Sequence, residues 1–384
     1  MIHTALSPLT ATPIRVLEEN GRIRSVEKAP DAKPELWIAP GLIDIQVNGF
    51  AGVDYNSPGT PLDEIARSIR EMRATGVTRF CPTVITGSHE NICGSLRNLA
   101  RARRELPEGP SMCGFHVEGP WISPLDGPRG AHPKQHVRPP SFEEFEQFQD
   151  AAEGNVRLLT LAPEAEGAPR VIEQLVENGV VVAIGHTAAN QQQIRDAIHA
   201  GATISTHLGN GSHAEVPRHE NYIIYQLAAD ELWASLIVDG IHLPPAFVKV
   251  AIRAKGVGRS ILTTDAVPPA GCPPGIYRFG HLEVELTPNG RVELTGSRRL
   301  AGSALRMDRA LGNLIRFAGL PLPDALMTAT SNAARGIELE GRKGFLQPGD
   351  LADFILFRFD PESRELEIQQ TLVAADNGIT TPRN

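Results

Sequence analysis

The chain has 384 residues, of which 41% are hydrophobic, and this length allows one large core and a smaller second domain. Its formal net charge of −8, with no run of Lys or Arg, argues against nucleic acid as a partner. No stretch approaches the ~20 apolar residues that span a bilayer, and the first residues lack a basic segment followed by a long apolar one. We therefore expect a cytoplasmic protein without a membrane partner.

The chain begins with short predicted strands and Gly and Asp turns over residues 13–40, and from residue 41 onward β-prone runs alternate with longer helical patterns. Helical stretches such as LDEIARSIREMRATG and APRVIEQLVENG have apolar residues at helical spacing and end on a Gly. This alternation is typical of a parallel sheet with crossover helices and predicts an α/β fold, a (β/α)8 barrel. The eight runs that fit barrel strands are GLIDIQV, VTRFCPTVI, MCGFHVEG, VRLLTLAP, VVVAIGH, ATISTHL, LWASLIVDG and SILTTDA.

The far end of the chain again has short predicted strands, over residues 345–370. Neither end contains enough apolar residues for a core of its own. We therefore predict that residues 1–40 and 345–384 pair into one small β-domain, with a barrel of residues 41–344 inserted between them. Two long loops are predicted at 209–221 and 267–275, and long loops at strand ends are where barrel enzymes place their chemistry.

Four ionisable residues lie at or just beyond the carboxyl ends of predicted strands. Glu118 follows GFHV, His186 follows VVVAIG, His207 follows TIST, and Asp265 follows SILTT. A single His in such a place is more often a hydrogen-bonded structural residue, but convergence of all four at one barrel mouth favours a metal site. One carboxylate and two imidazoles suit Zn²⁺ or Fe²⁺, with Asp265 as a general base toward water. The pattern predicts hydrolysis of an amide.

His116 lies two residues before Glu118 on the same predicted strand, and structural support and direct ligation both stay open for it.

Nine motifs occur in order along nearly the whole chain. They are PGLIDIQVNGFAG at 40–52, FHVEGPWISP at 115–124, GAHP at 130–133, AIGHTAA at 183–189, STHLGNG at 205–211, VDGIHLP at 238–244, TTDAVPPAG at 263–271, LAGSAL at 300–305 and GFLQPGDLADFI at 344–355. In this order they resemble the N-acetylglucosamine-6-phosphate deacetylases of the amidohydrolase superfamily. The resemblance implies a distorted TIM-like barrel with a small β-sandwich domain, and conversion of N-acetylglucosamine-6-phosphate and water to glucosamine-6-phosphate and acetate.

The resemblance also implies roles for particular residues. One divalent metal per subunit is held by Glu118, His186 and His207, with Zn²⁺ favoured over Fe²⁺ or another divalent ion. Asp265 is then the catalytic acid and base, and His132 lies near the substrate amide. The implied substrate contacts are Ala131, Asn210, Gly211, Arg218, Asp239, Gly240, Ile241, His242, Leu300, Ala301 and Gly302. Of these, Arg218 is contributed by the neighbouring subunit, which implies a homodimer.

Two departures from common patterns bear on this interpretation. Many amidohydrolases have HxH after the first strand, whereas this chain has Gln46 and Asn48, and amides are poor zinc ligands, so one metal is expected rather than a tight pair. The resemblance implies that Asn210 and Gly211 bind the phosphate, and beside them an aromatic residue and a Met of the family pattern are replaced by Gly209 and Ser212. A different N-acyl amino sugar, a cyclic amide and a non-catalytic scaffold remain as alternative functions.

Overall fold

A computed structural model describes residues 1–341 and 344–374 of the chain. No helix in these two ranges is both long and apolar enough to cross a membrane. The strands are β1 (Ile2–Leu6), β2 (Pro13–Glu19), β3 (Arg22–Lys28), β4 (Trp37–Pro40), β5 (Leu42–Val47), β6 (Gly49–Phe50), β7 (Val53–Asp54), β8 (Val77–Ile85), β9 (Phe115–Glu118), β10 (Val156–Leu161), β11 (Val181–Ile184), β12 (Ile204–Ser205), β13 (Trp233–Leu236), β14 (Ser260–Leu262), β15 (Gly275–Phe279), β16 (Leu282–Leu286), β17 (Val292–Leu294), β18 (Phe354–Phe359) and β19 (Leu366–Leu372). The α-helices are α1 (Leu62–Arg73), α2 (His89–Glu105), α3 (Phe142–Ala151), α4 (Ala168–Glu177), α5 (Gln191–His199), α6 (Tyr222–Ala228), α7 (Pro245–Lys255), α8 (Met307–Ala318), α9 (Leu322–Thr328) and α10 (Ser331–Gly336).

Eight parallel strands form the central sheet, in the order β14-β13-β12-β11-β10-β9-β8-β5. The two edge strands approach each other where Val47 forms a bridge with Ala266, so the sheet is nearly closed into a barrel. All nine residues of β8 are buried, as expected for a strand covered on both faces. The barrel and its eight predicted strands are confirmed.

The amino-terminal end of the barrel is filled by apolar side chains and covered by α10. Ile43, Cys81, Ile204 and Ile261 belong to the cluster at this end, together with residues of α10. Packing is close there, since a Cβ added to Gly336 would lie 2.5 Å from the Ile261 side chain. Because this end is filled, only the opposite, carboxyl end of the strands is left for a binding site.

The two ends of the chain form a separate six-stranded sheet in the order β19-β18-β4-β1-β2-β3. Its apolar face includes Val16, Ile38 and Phe354. The predicted separate sheet built from both termini is thus confirmed. The boundaries at residues 40 and 345 stay a prediction, and residues 375–384 of the predicted domain lie outside the described residues.

A three-stranded antiparallel sheet, β15-β16-β17, follows the predicted 267–275 loop and was not foreseen from the sequence. Its apolar side packs against the barrel mouth, where Phe279 and Val284 contact the cluster that includes Ile85 and Ala301. The sequence carried a signal for it, since LEVEL alternates apolar and acidic residues and Asn289-Gly290 is a turn pair. The sheet forms one wall above the carboxyl ends of the strands.

Candidate active site

Four side chains are directed into the barrel mouth by the backbone at the ends of their strands. Glu118 is the last residue of β9, whereas His186, His207 and Asp265 lie just beyond β11, β12 and β14. These three residues have φ of +50°, +29° and +52°, in the left-handed region that His and Asp tolerate better than most side chains. The turn away from strand geometry brings all four side chains to one point.

A small triangle of ligand atoms forms the centre of the site. Glu118 Oε1 lies 3.1 Å from His186 Nε2 and 3.0 Å from His207 Nε2. The two imidazole nitrogens are 3.1 Å apart. All three side chains are buried, and among the described residues they are the one group of His, Cys, Asp or Glu found with metal-binding spacing.

The hydrogen bonds around the triangle fit a divalent cation. His186 Nδ1 lies 2.8 Å from the carbonyl oxygen of Pro128, which can only accept, so Nδ1 carries the hydrogen. In the neutral ring, His186 Nε2 then directs a lone pair at Glu118 Oε1, and two electron-rich atoms so close favour a cation between them. Glu118, His186 and His207 would together hold such an ion, because one carboxylate and two imidazoles are a donor set that binds divalent metals.

The electrostatics of Glu118 agree with this arrangement. Burial alone would raise its pKa, but hydrogen bonding and positive charge shared with His186 and His207 outweigh burial and hold the pKa of Glu118 well below its ordinary value. A cation held by the three atoms would take the place of that positive charge. The carboxylate is therefore ionised and available as a ligand.

His116, left open between two roles, is not part of the triangle. Its Nε2 lies 2.8 Å from the Thr160 hydroxyl, below the mouth. Burial lowers the pKa of His116 to about 4, so its ring is neutral. The structure gives it a supporting position inside the barrel.

Asp265 is held beside the triangle by two amide side chains. Gln46 Nε2 donates to both Glu118 Oε1 and Asp265 Oδ1, at 3.0 Å each, and Asn48 Nδ2 donates to Asp265 Oδ1 at 2.7 Å. Burial, and then the charge of Glu118, raises the pKa of Asp265 to about 7. A carboxylate with a pKa near neutrality is suited to accept and return a proton.

His132 faces the same centre from the loop after β9. Its Nε2 is 4.0 Å from Glu118 Oε2, and its Nδ1 is 2.8 Å from the Thr86 hydroxyl oxygen. Burial, reinforced by the neighbouring His186, lowers the pKa of His132 to about 3, so the ring is neutral. The Thr86 hydroxyl also approaches the Glu118 carbonyl, at 3.3 Å. The Thr86 hydroxyl has one hydrogen. Directed across the shorter contact to Nδ1, it leaves the ring hydrogen on Nε2, facing the site, whereas donation to the Glu118 carbonyl leaves the ring hydrogen on Nδ1.

These residues line one cavity of about 280 Å³ at the barrel mouth. The structure brings most of the expected site residues together there. The expected residues on its walls are Glu118, Ala131, His132, His186, His207, Asn210, Gly211, His242, Asp265, Leu300, Ala301 and Gly302. Leu300 to Gly302 reach the cavity because Ser303 forms a bridge with Ala266 beside the last strand.

Four expected substrate contacts do not line the cavity: Asp239, Gly240, Ile241 and Arg218. Asp239 instead orients His242, since its Oδ2 accepts from His242 Nδ1 at 2.6 Å. Burial would raise the pKa of Asp239, but His242 outweighs burial and lowers it. Arg218 is exposed on the 209–221 loop of this chain.

Sequence reasoning missed several residues of the site. Thr86 follows β8 directly, and a polar residue at that strand end was the same signal that identified Glu118. Arg299 also lines the cavity, immediately before the motif at 300–305. Phe279 and Leu282 enter from the β15-β16-β17 sheet, and only the packing of that sheet reveals them.

Comparison with known proteins agrees with this geometry. The model of the Amidohydrolase family matches residues 37–380. The chain therefore belongs to the amidohydrolase family.

Individual relatives show which members of the amidohydrolase family this chain resembles. N-acetylglucosamine-6-phosphate deacetylase from Bacillus subtilis (strain 168) is 34% identical over 340 residues, covering 87% of this chain and 84% of that protein. N-acetylgalactosamine-6-phosphate deacetylase from Escherichia coli O157:H7 is 32% identical, covering 92% of this chain and 93% of that protein. A mutant N-acetyl-D-glucosamine-6-phosphate deacetylase from Mycobacterium smegmatis, solved with N-acetyl-D-glucosamine-6-phosphate, has a TM-score of 0.87 and 31% identity, covering 98% of each chain. The resemblance inferred from the nine motifs is confirmed.

The triangle predicts metal binding at a single site. After incubation with Zn²⁺ and dialysis, the unmodified protein should retain about one ion per chain. His186→Asn removes one of the three ligand atoms and should lower the retained zinc to less than about a tenth of that amount. Inductively coupled plasma mass spectrometry measures both. His199→Asn, at the exposed end of α5, is the control and should bind as the unmodified protein does. Two tightly held ions per chain, or full retention in His186→Asn, would contradict the site.

Proposed function

We propose that the protein hydrolyses the acetamide group of an N-acetyl amino-sugar 6-phosphate and releases acetate and the amino-sugar phosphate. The substrate that we favour is N-acetylglucosamine-6-phosphate. The observation that carries this proposal is the ligand triangle of Glu118, His186 and His207 beside Asp265, in a single monosaccharide-sized cavity. The printed activities of the relatives from Bacillus subtilis and Mycobacterium smegmatis support it. The proposed cofactor is one divalent ion per chain, Zn²⁺ before Fe²⁺.

In this reaction a divalent ion on the triangle supplies Lewis-acid chemistry, polarising the acetyl carbonyl and making water more acidic. Asp265 takes the proton from the attacking water and returns it to the sugar nitrogen as the amine leaves. Gln46 and Asn48 bind its Oδ1, which fixes the carboxylate and leaves Oδ2 for the proton. Asp265 must be ionised to act as the base, and positive charge beside Glu118 lowers its pKa from about 7, so activity should rise with pH through a value below 7.

His132 is proposed to stabilise the negative charge that develops on the acetyl oxygen. Its neutral ring can donate from Nε2 only when Nδ1 accepts from Thr86, so Thr86 sets the tautomer. The chain thereby provides a donor on one side of the reacting carbon and a base on another.

The remaining cavity walls are assigned to the sugar and its phosphate. Ala131 and the 300–302 segment are proposed to contact the sugar and acetyl group, and Asn210 and Gly211 the phosphate. His242, oriented by Asp239, is proposed to bind a sugar hydroxyl or the phosphate. The exposed position of Arg218 is compatible with a homodimer in which this side chain reaches the neighbouring active site, and sedimentation velocity tests for the dimer.

The substrate assignment predicts a clear order of activities. Zn²⁺-loaded protein should release acetate from N-acetylglucosamine-6-phosphate with kcat/KM of at least about 10⁴ M⁻¹s⁻¹, the lower end for dedicated enzymes. Unphosphorylated N-acetylglucosamine should be at least about 100-fold slower, because the phosphate contacts are lost. An enzymatic acetate assay measures both, with N-acetylgalactosamine-6-phosphate run beside them since one relative carries that name. No turnover of any of these sugars by metal-loaded protein would rule the proposal out.

Asp265→Asn isolates the proton-transfer role. The change is isosteric but removes the base, so kcat should fall about 10²- to 10⁴-fold. Zinc content should stay unchanged, because Asp265 is not part of the ligand triangle. Asp31→Asn, on the exposed surface, is the control and should be fully active. An Asp265→Asn protein with near-normal kcat would exclude this role.

Thr86→Val tests whether Thr86 positions the hydrogen of His132. Valine has nearly the volume of threonine but no hydroxyl, so His132 Nδ1 loses its donor and kcat should fall by about 10-fold. KM and zinc content should change little, and Thr86→Ser, which keeps the hydroxyl, should restore most of kcat. Steady-state kinetics on N-acetylglucosamine-6-phosphate separate kcat from KM. Equal kcat in the Val and Ser variants would contradict a role in setting the tautomer.

A further inference from the structure

One arginine in the cavity wall has no role in the proposed hydrolysis. Among the described residues that line the cavity, Arg299 is the one Lys or Arg. Its Nη1 donates to the Gly130 carbonyl at 3.1 Å, and its Nη2 is 3.9 Å from Asp126 Oδ1. The Arg299 side chain is 44% exposed and Asp126 is 77% exposed, so water weakens that ion pair. One of the five N–H donors of the guanidinium is thus engaged, and the others remain for a ligand.

The backbone that Arg299 binds and the 210–212 loop both lie against one side chain, the His186 ring. The carbonyl that Arg299 binds belongs to Gly130, and a Cβ there would lie 3.1 Å from the His186 ring. A Cβ on Gly211 would lie 2.7 Å from the same ring. The backbone beside the guanidinium and the 210–212 loop therefore both contact the ring of one metal ligand, at one end of the cavity.

That loop offers free donors of its own. In residues 1–341 and 344–374, the backbone N–H groups of Gly211 and Ser212 donate to no protein acceptor. Gly211 has a φ of +54°, and successive N–H groups around a left-handed residue form a concave anion site. A guanidinium beside such a pair matches a phosphate, which accepts charge-assisted hydrogen bonds.

We propose that Arg299, together with the N–H groups of Gly211 and Ser212, binds the substrate phosphate within the same chain. The inference rests on the proposed deacetylation of an amino-sugar phosphate, and it identifies the residue that selects the phosphorylated sugar. Arg218, by contrast, is exposed and does not line the cavity of its own chain. The phosphate then has a guanidinium partner within its own chain, in addition to any contribution of Arg218 from a neighbouring subunit.

The test compares two adjacent arginines. Arg299→Gln removes the charge in the cavity wall, whereas Arg298→Gln changes an exposed neighbour that does not line the cavity. In Arg299→Gln, kcat/KM for N-acetylglucosamine-6-phosphate should fall about 10- to 100-fold, with the value for unphosphorylated N-acetylglucosamine changed less than about 2-fold. Arg299→Lys should recover part of the loss, and Arg298→Gln should match the unmodified protein.

Two kinetic outcomes would overturn the proposal. An equal loss on both sugars would mean that Arg299 only holds the Gly130 backbone. Full activity of Arg299→Gln on the phosphorylated sugar, with a selective loss in Arg218→Gln instead, would assign the phosphate to the neighbouring subunit.

A binding measurement separates this inference from the proposed reaction. Calorimetry should show that the unmodified protein binds glucosamine-6-phosphate more tightly than glucosamine, and that Arg299→Gln loses this preference. If no sugar is turned over, the proposed reaction fails, but loss of this preference in Arg299→Gln alone still supports the anion site. Equal preference in both proteins would overturn it.

Discussion

The buried carboxylate of Glu118 is the constraint on which the barrel mouth depends. Its Oε1 has nitrogen atoms of Gln46, His186 and His207 within 3.0–3.1 Å, each from a different strand end. An ionised carboxylate without partners is strongly destabilising in a protein interior. The strand ends must therefore stay in register for the charge to be tolerated, and the same register places Asp265 beside the metal site.

The barrel below has to support a strained mouth. His186, His207 and Asp265 all have left-handed backbone angles, each of which costs ~1–2 kcal/mol for a residue with a side chain. Such conformations persist only where the surrounding structure determines them. Asp44 helps to do so at the barrel seam, because its carboxylate accepts hydrogen bonds from the Thr263 hydroxyl and the Thr264 backbone in the segment leading to Asp265. Asp265 thus lies where the junction between the first and last barrel strands holds an unfavourable backbone conformation in place.

The sequence identified the strands and the residue types at their ends, because apolar runs and the polar residue that follows each run are local signals. It could not identify contacts that depend on side-chain direction. The hydrogen bond by which Asp239 orients His242 was not predicted, and Thr86 was overlooked although it faces His132. Arg299 reaches the cavity only because the 300–303 segment pairs beside the last strand, a long-range arrangement that no local pattern records.

The amides at positions 46 and 48 are the reason for proposing one ion per chain rather than two. An imidazole at position 46 or 48 could offer a lone pair to a second cation, whereas Gln46 directs N–H hydrogens at both Glu118 and Asp265. Asn48 adds a further N–H to Asp265. These neutral donors relieve the repulsion between two neighbouring carboxylates, the task that a second metal would otherwise perform. With its Oδ1 bound by both amides, Asp265 is held beside the triangle rather than in it. Burial and the charge of Glu118 raise its pKa to about 7 against the effect of the Asn48 hydrogen bond, which suits the proton-transfer role proposed for it.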